Sequence, residues 1–269
     1  MSRRAAFLAH PTVRALLEAD RTTSQPDVAI RKRARDLVAW ARGLGWDGPP
    51  FDLELLASLC GFRVEYAALG ERQDGWIDGW RRRILINAEM HELRQRFTLA
   101  HEIAHTLLPD FGLGASSVEV DGDYEWAEQS PPEQLCQVAV AELLMPADAF
   151  REACGGAAAT VDGVRSVAER FQASIPAAAR QWTVLSPRSA ALIIAKPARS
   201  RGNRPAGLRV IQRVWERAHR NLNRPCNESA LEDWSSAELG HCRVEAVTLP
   251  LQWRDPDAVL ALLHSERTR

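Results

Sequence analysis

Apolar positions recur along this chain at two different periods, and the changes of period mark out its organisation. A short helix is predicted over Thr12–Glu18, followed by the polar linker TTSQPD at Thr22–Asp27. From Val28 to Arg42 the residues Ala29, Ala34, Leu37, Val38 and Ala41 fall at helical spacing, and Gly43, Gly45 and the run Gly48-Pro49-Pro50 end the helix. A shorter helix is predicted over Asp52–Leu59, closed by Gly61 as a left-handed cap. The period then drops. Phe62–Ala67, Gly75–Trp80 and Arg83–Ile86 read as strands, with Asp74-Gly75 as a polar turn and Asp78-Gly79 as a hairpin turn. Ile84, Leu85 and Ile86 form a buried strand that ends at Asn87.

Helical spacing returns from His91 to Leu108 and stops at Pro109. A loop rich in glycine and acidic residues covers Asp110–Gln129, and a further helix starts after Ser130 and stops at Pro146. Helices over Ala147–Glu152, Val161–Gln172 and Pro176–Trp182 follow. Beyond Ser186 the pattern shifts again. Ala190–Lys196 and Cys242–Leu251 are strand-like, Arg199–Pro205 is a basic loop, and Pro256–His264 reads as a terminal helix. Leu208–Trp215 alternates as a strand does, while a helix running on to Arg220 fits equally well. The expected fold class is α+β. A leader (1–27) precedes a main domain (28–150) built on a small antiparallel sheet with helices. A helical segment with helix-turn-helix cadence (151–186) and a small α/β domain (187–269) complete the chain.

Composition narrows the function classes. The chain has 269 residues, 46% hydrophobic and 26% charged, enough for a real core in one large domain or two modest ones. A formal net charge of −1 gives no global field to draw it to nucleic acid or an anionic membrane. No run approaches the roughly 18 apolar residues of a membrane span. The short apolar stretch Ala5–Ala9, interrupted by His10 and Pro11, does not fit a signal peptide. Cys60, Cys136, Cys154, Cys226 and Cys242 are scattered and odd in number, which argues against a disulfide framework and a cysteine-built zinc site. A cytoplasmic location is expected, and no oligomeric state is indicated.

One motif carries chemistry. His101-Glu102-Ile103-Ala104-His105 fits H-E-x-x-H. Positions i and i+4 of a helix stack on one face, so His101 and His105 can grip one ion. Glu102 stands one residue on, able to reach a water beside the ion without pointing straight at the metal. Zinc in such a site lowers the pKa of that water toward about 7, and Glu102 is placed to act as general base for peptide hydrolysis. The flanks Phe97, Leu99, Ala100, Ile103, Ala104, Leu107 and Leu108 are apolar, where uncompensated histidine and glutamate side chains would be unfavourable.

A catalytic zinc needs a third protein ligand. Leu108 and Phe111 stand where the extended H-E-x-x-H-x-x-G-x-x-H form would need Gly and His, so a downstream carboxylate is expected. The candidates are Glu119, Asp121, Asp123, Glu125, Glu128, Glu133 and Glu142. Glu133 has the advantage of a rigid helix, on a face shared with Cys136, Gln137, Val140 and Leu144. It also completes Ser130-Pro-Pro-Glu133, a capping box in which its carboxylate would bond the N-cap amide instead. Spacing leaves these two readings open. Glu142 faces away from Glu133, so one helix cannot offer both.

RQRFTLAHEIAHTLL (Arg94–Leu108) followed by EQLCQVAVAELLMP (Glu133–Pro146) resembles the ImmA/IrrE family of metallo-endopeptidases. The strand ILIN (Ile84–Asn87), the helix at Asp52–Gly61 and FQASIPAAARQW (Phe171–Trp182) also fit, so the resemblance spans about Val28 to Trp182. It implies a zincin-like catalytic core over 28–150, one zinc per chain held by His101, His105 and Glu133, and Glu102 as the catalytic base. It implies a protein substrate as well: a helix-turn-helix transcriptional repressor, cut to relieve repression in stress response or mobile-element control. Some members of the family carry a C-terminal GAF-like sensor domain, which residues 187–269 would match in position. Gln137 and Ala139 depart from the family's usual Asn and Phe; neither is a metal ligand, so the departures bear on packing.

Other features compete with plainer readings. Val161–Leu185 has the cadence of a helix-turn-helix, but its Ala-rich second helix offers few base-reading side chains, and a helical brace is favoured. The basic stretch Lys196–Arg224 suits phosphate contacts, yet such stretches are more often solvated. Trp76 and Trp80 flank the hairpin before the motif helix and could line a substrate cleft. Cys136 could sense redox state, though a buried inert thiol is the commoner case. A regulator that binds DNA or a repressor without proteolysis is therefore the alternative function.

Overall fold

A computed structural model describes residues 3–70, 73–111, 130–157 and 160–185, together with the backbone of five strands between 190 and 265. The chain divides into two compact units, Met1–Pro146 and Ala147–Arg269.

The first unit opens with two helices, α1 (Arg3–Ala9) and α2 (Pro11–Ala19), where one was predicted. Pro11 at the first helical position and His10, whose Nδ1 accepts from the Thr12 amide at 3.3 Å, start α2. Helix α2 lies against α3 (Pro26–Gly43), whose stripe of Ala29, Ile30, Ala34, Val38 and Ala41 is buried. Trp46 and Phe51, ring centroids 4.6 Å apart and both fully buried, turn the chain into α4 (Leu53–Leu59). Asp52 caps α4 by accepting from the Leu55 amide at 2.9 Å.

Three strands follow: β1 (Arg63–Ala67), β2 (Gly75–Asp78) and β3 (Arg83–Asn87). The sheet order is β1-β3-β2, with β1 parallel to β3 and β2 antiparallel to it. The sheet is therefore mixed, which corrects the expectation of an antiparallel one. The strand with the densest apolar run takes the centre, Ile84 and Ile86 being fully buried. The segment after β1 crosses to the far edge before returning as a hairpin. Buried Asn87 fastens that crossing. Its Nδ2 donates to the Gly70 and Gln73 carbonyls at 2.7 and 2.8 Å, and its Oδ1 accepts from the Glu89 amide at 3.0 Å. Three polar groups with no ladder partner are thus satisfied by one side chain.

The sheet supports α5 (Glu92–His105), which starts at His91, whose Nδ1 accepts from the Leu93 amide at 3.2 Å. Helix α6 (Pro131–Leu144) packs on both α5 and α3. Leu99, Ala100, Ile103 and Ala104 of α5, and Leu135, Ala139, Val140 and Leu143 of α6, are buried. Each large one contributes about 1.5–3 kcal/mol by leaving water. Polar ties add direction: Arg33 of α3 donates to the Leu107 carbonyl at 2.8 Å, Arg35 pairs with buried Glu142 at 3.3 Å, and Thr12 donates to Asp110 at 2.5 Å. Leader and motif helix thus belong to one packed body.

In the second unit α7 (Ala147–Gly156), α8 (Val161–Phe171) and α9 (Ile175–Leu185) precede a five-stranded antiparallel sheet. Its strands are β4 (Ala190–Ala198), β5 (Gly207–Trp215), β6 (Glu238–Leu239), β7 (Cys242–Thr248) and β8 (Val259–Ser265), in the order β5-β4-β8-β7-β6. Leu208–Trp215 is strand, which resolves the choice left open there. The terminal helix expected over Pro256–His264 is instead β8, paired with β4 on one side and β7 on the other. A short apolar run such as VLALLHS fits a buried strand or a buried helix equally, and hydrogen bonds on both edges decide it. Among the described residues after 187 every element is a strand.

Gly75 tests the contact between sheet and motif helix. A Cβ there would lie 2.7 Å from the Leu85 carbonyl oxygen and 2.7 Å from Thr98 Cγ2. Gly75→Ala is expected to destabilise the fold by about 1–3 kcal/mol through overpacking, read as a lower urea midpoint with unchanged slope.

Candidate metal centre

Helix α5 presents His101 and His105 one turn apart toward α6, their ring centroids 4.9 Å apart and their planes at 85°. Glu133, in the first turn of α6, meets them. His101 Nε2 lies 2.8 Å from Glu133 Oε2, and His105 Nε2 lies 3.6 Å from Glu133 Oε1. One ligand atom from each of the three falls within 4.8 Å of the other two. The rival capping role is not made. Ser130 is the N-cap residue of α6, but its side chain makes no cap hydrogen bond. The carboxylate turns to the histidines instead, and Pro131 at the first helical position needs no amide partner. Glu142 is paired with Arg35 on α3, away from the histidines. Glu119, Asp121, Asp123, Glu125 and Glu128 lie outside the described residues.

Burial sets the electrostatics. Glu102 is 3% exposed, and its carboxyl is pushed up to about 7, first by burial and then by the Glu133 and Asp74 carboxylates, against the pull of His101. Burial, with His101 beside it, drives the His105 imidazole down to about 4, against Glu133. His105 is therefore neutral near pH 7, the form with a lone pair to give a metal. Burial works to raise Glu133, but the hydrogen bond from His101 and the two histidine charges outweigh it, so its carboxyl sits below the ordinary value. Two imidazole nitrogens and a carboxylate oxygen are a donor set suited to a divalent ion. Glu133 Oε1 and His101 Nδ1 are buried without a hydrogen bond among the described residues. An ion between the three side chains would satisfy Oε1, so the residues fit the group.

Several neighbours carry no sequence motif of their own. Asp74 and Arg94 form a buried ion pair, with Arg94 Nε donating to Asp74 Oδ2 at 2.8 Å. Arg94 also lies 5.4 Å from the Phe97 ring centroid, and Phe97 stacks on His101 at 6.3 Å. Asp74 reads from sequence as a turn residue, and only the fold brings it to α5. Cys136 is fully buried one turn after Glu133, its Sγ 3.5 Å from His105 Nδ1. Trp80, at the β2–β3 turn, is 96% exposed, whereas Trp76 is half-buried beneath the Arg83 guanidinium at 5.1 Å. In the second unit α8 and α9 meet across Gln172 in a left-handed conformation, and Ala178, Ala179 and Trp182 of α9 are buried. That burial suits a packed brace. The basic stretch 196–224 falls largely outside the described residues.

Residues 62–183 match the IrrE N-terminal-like domain, Peptidase_M78. The chain is 39% identical over 122 residues to the radiation response metalloprotease IrrE of Deinococcus deserti, covering 45% of this chain and 41% of that protein. It is 34% identical over 164 residues to the protein of the same name from Deinococcus radiodurans, covering 59% of this chain and 47% of that one. The matches thus span less than half the length of either relative. A Mycobacterium tuberculosis transcriptional regulator of known structure aligns with 94% of this chain and 79% of its own, with a TM-score of 0.53 at 9% identity; this is a likeness of fold alone.

Two outcomes follow from this geometry. Ser130→Ala should change the unfolding free energy by less than about 0.5 kcal/mol, where losing a working N-cap costs typically about 1 kcal/mol. Glu102 gives a pH signature in metal-free protein. Its carboxyl ionises near 4.5 when unfolded and near 7 when folded, so its contribution to stability falls as pH rises through that window. His105 contributes in the opposite sense, losing stability as pH falls from 6.5 toward 4, and does so in both proteins. Glu102→Gln should therefore gain stability over the parent as pH rises from 5 to 8, seen as a widening gap in urea midpoints.

Proposed function

We propose that this chain, whose residues 62–183 match the IrrE N-terminal-like domain, is a zinc-dependent endopeptidase of the ImmA/IrrE family whose substrate is a helix-turn-helix transcriptional repressor. The observation that carries this reading is the convergence of His101, His105 and Glu133 beside the buried carboxyl of Glu102. We assign His101, His105 and Glu133 as metal ligands and Glu102 as the general base.

Zinc bound there would supply Lewis-acid chemistry, polarising the scissile carbonyl and making an attacking water more acidic. The protein residues do the rest. Glu102 takes the proton of the attacking water on its carboxylate and delivers it to the leaving amide nitrogen. A carboxyl raised toward neutrality is suited to both tasks, since it accepts and returns a proton with little bias. Glu102 is itself buried, which keeps bulk water away and strengthens its pull on the reacting proton. Asp74, held by Arg94, fixes a second negative charge on the same side.

Repressor cleavage rests on the family resemblance, and the cytoplasm is the setting that such a substrate implies. Among the described residues no helix is long and apolar enough to cross a membrane. We assign 28–150 to catalysis, 151–186 to a helical brace and 187–269 to a GAF-like sensor unit. The five-stranded antiparallel sheet, with its last strand inserted between β4 and β7, supports the last of these.

The test is incubation of purified, zinc-loaded protein with helix-turn-helix repressors purified from the same organism, with and without chelator, read by mass spectrometry. One cut that the chelator abolishes is expected. Glu102→Gln should keep one zinc per chain and lose cleavage by at least about 100-fold, the size of a general-base contribution. His101→Ala and His105→Ala should lose the zinc, and Glu133→Ala should bind it far more weakly. Cleavage by Glu102→Gln at the parent rate would sink the mechanism. Unchanged zinc affinity in Glu133→Ala would remove it from the ligand set.

A further inference from the structure

The two histidines of the motif differ in what stands behind them. The far nitrogen of His101, Nδ1, is buried with no hydrogen bond among the described residues. The far nitrogen of His105 faces the sulfur of Cys136 at 3.5 Å, within hydrogen-bond range for sulfur. Cys136 lies three residues after Glu133 in α6, so the two side chains leave the same face of that helix. Helix α6 therefore addresses both nitrogens of His105: Glu133 Oε1 at Nε2, 3.6 Å away, and Cys136 Sγ at Nδ1.

We propose that Cys136 is a positioning residue for His105. Its sulfur accepts the Nδ1–H hydrogen bond, fixing the ring orientation and the tautomer that leaves the Nε2 lone pair for the metal. This rests on His105 being a ligand. A neutral imidazole carries one proton, and the hydrogen bond made by one nitrogen decides what the other can do. Free imidazole side chains in water favour the proton on Nε2, which is the wrong arrangement for a metal at that atom. An acceptor at Nδ1 reverses the preference before the ion arrives. Sulfur is a weak acceptor, but Cys136 is fully buried, so no water competes for the position. The packing also excludes a redox role as the primary one, since a fully buried thiol is not open to an oxidant.

The experiment compares Cys136→Ala and Cys136→Ser with the parent. Zinc affinity is read by competition with a chromophoric chelator. The His105 tautomer in zinc-free protein is read from imidazole nitrogen shifts by NMR, and urea midpoints follow the loss of packing separately. Cys136→Ala is expected to weaken zinc binding by about 10–100-fold, the usual effect of removing a partner behind a metal ligand, and to shift His105 toward the Nε2–H tautomer. Cys136→Ser, whose hydroxyl can accept the same proton, should bind zinc within a few-fold of the parent and keep the tautomer. Equal weakening in both variants with the tautomer unchanged would show that the sulfur only fills space, and would overturn the proposal. So would unchanged affinity in both. A failure of the metal site itself would show differently, as parent-like zinc binding in His101→Ala.

Discussion

A carboxylate buried between two imidazoles is the constraint on which the first unit turns. Glu133, His101 and Glu102 are all nearly removed from water, and each would be strongly unfavourable there alone. Together they compensate. His101 bonds Glu133, His105 stays neutral, and Glu102 retains its proton until near neutrality. A metal ion would complete this balance, because it favours the charge on Glu133 and the lone pairs on both histidines. The surrounding fold is what two helices need to hold these groups at fixed spacing while covering them with aliphatic side chains.

The supporting elements share that task. Helix α3 packs against α6 and is tied to it by the Arg35–Glu142 pair. The mixed sheet supports α5 from the other side, and Gly75 lets the edge strand come close to Thr98. Just past the end of α5, Arg33 donates to the Leu107 carbonyl and Thr12 to the Asp110 carboxylate. Residues upstream of the matched segment thus pack around the candidate metal centre, although they carry none of its chemistry.

The departures from the family pattern can be placed physically. Ala139 is fully buried on α6, so a small side chain there permits close approach of its neighbours. Gln137 is also buried, and its Nε2 has no hydrogen bond among the described residues. The second unit is legible mainly as architecture: three helices and an antiparallel sheet, with α9 committed to packing through Ala178, Ala179 and Trp182.

The sequence by itself determined the parts whose logic is local. H-E-x-x-H offers two candidate ligands and a candidate base because i and i+4 share a helix face, and the helices and most strands followed from apolar period, proline and glycine. Decisions between distant segments needed the tertiary structure. Whether Glu133 caps its own helix or turns to the histidines depends on where α6 lies, since both geometries start from the same spacing. The pairing of Asp74 with Arg94, and of Cys136 with His105, has no periodic signature. The parallel pairing of β1 with β3 depends on a crossing fastened by Asn87. The run VLALLHS became a strand because free edges waited on both sides of it. In each case local preference was balanced, and long-range burial and hydrogen bonding decided the outcome.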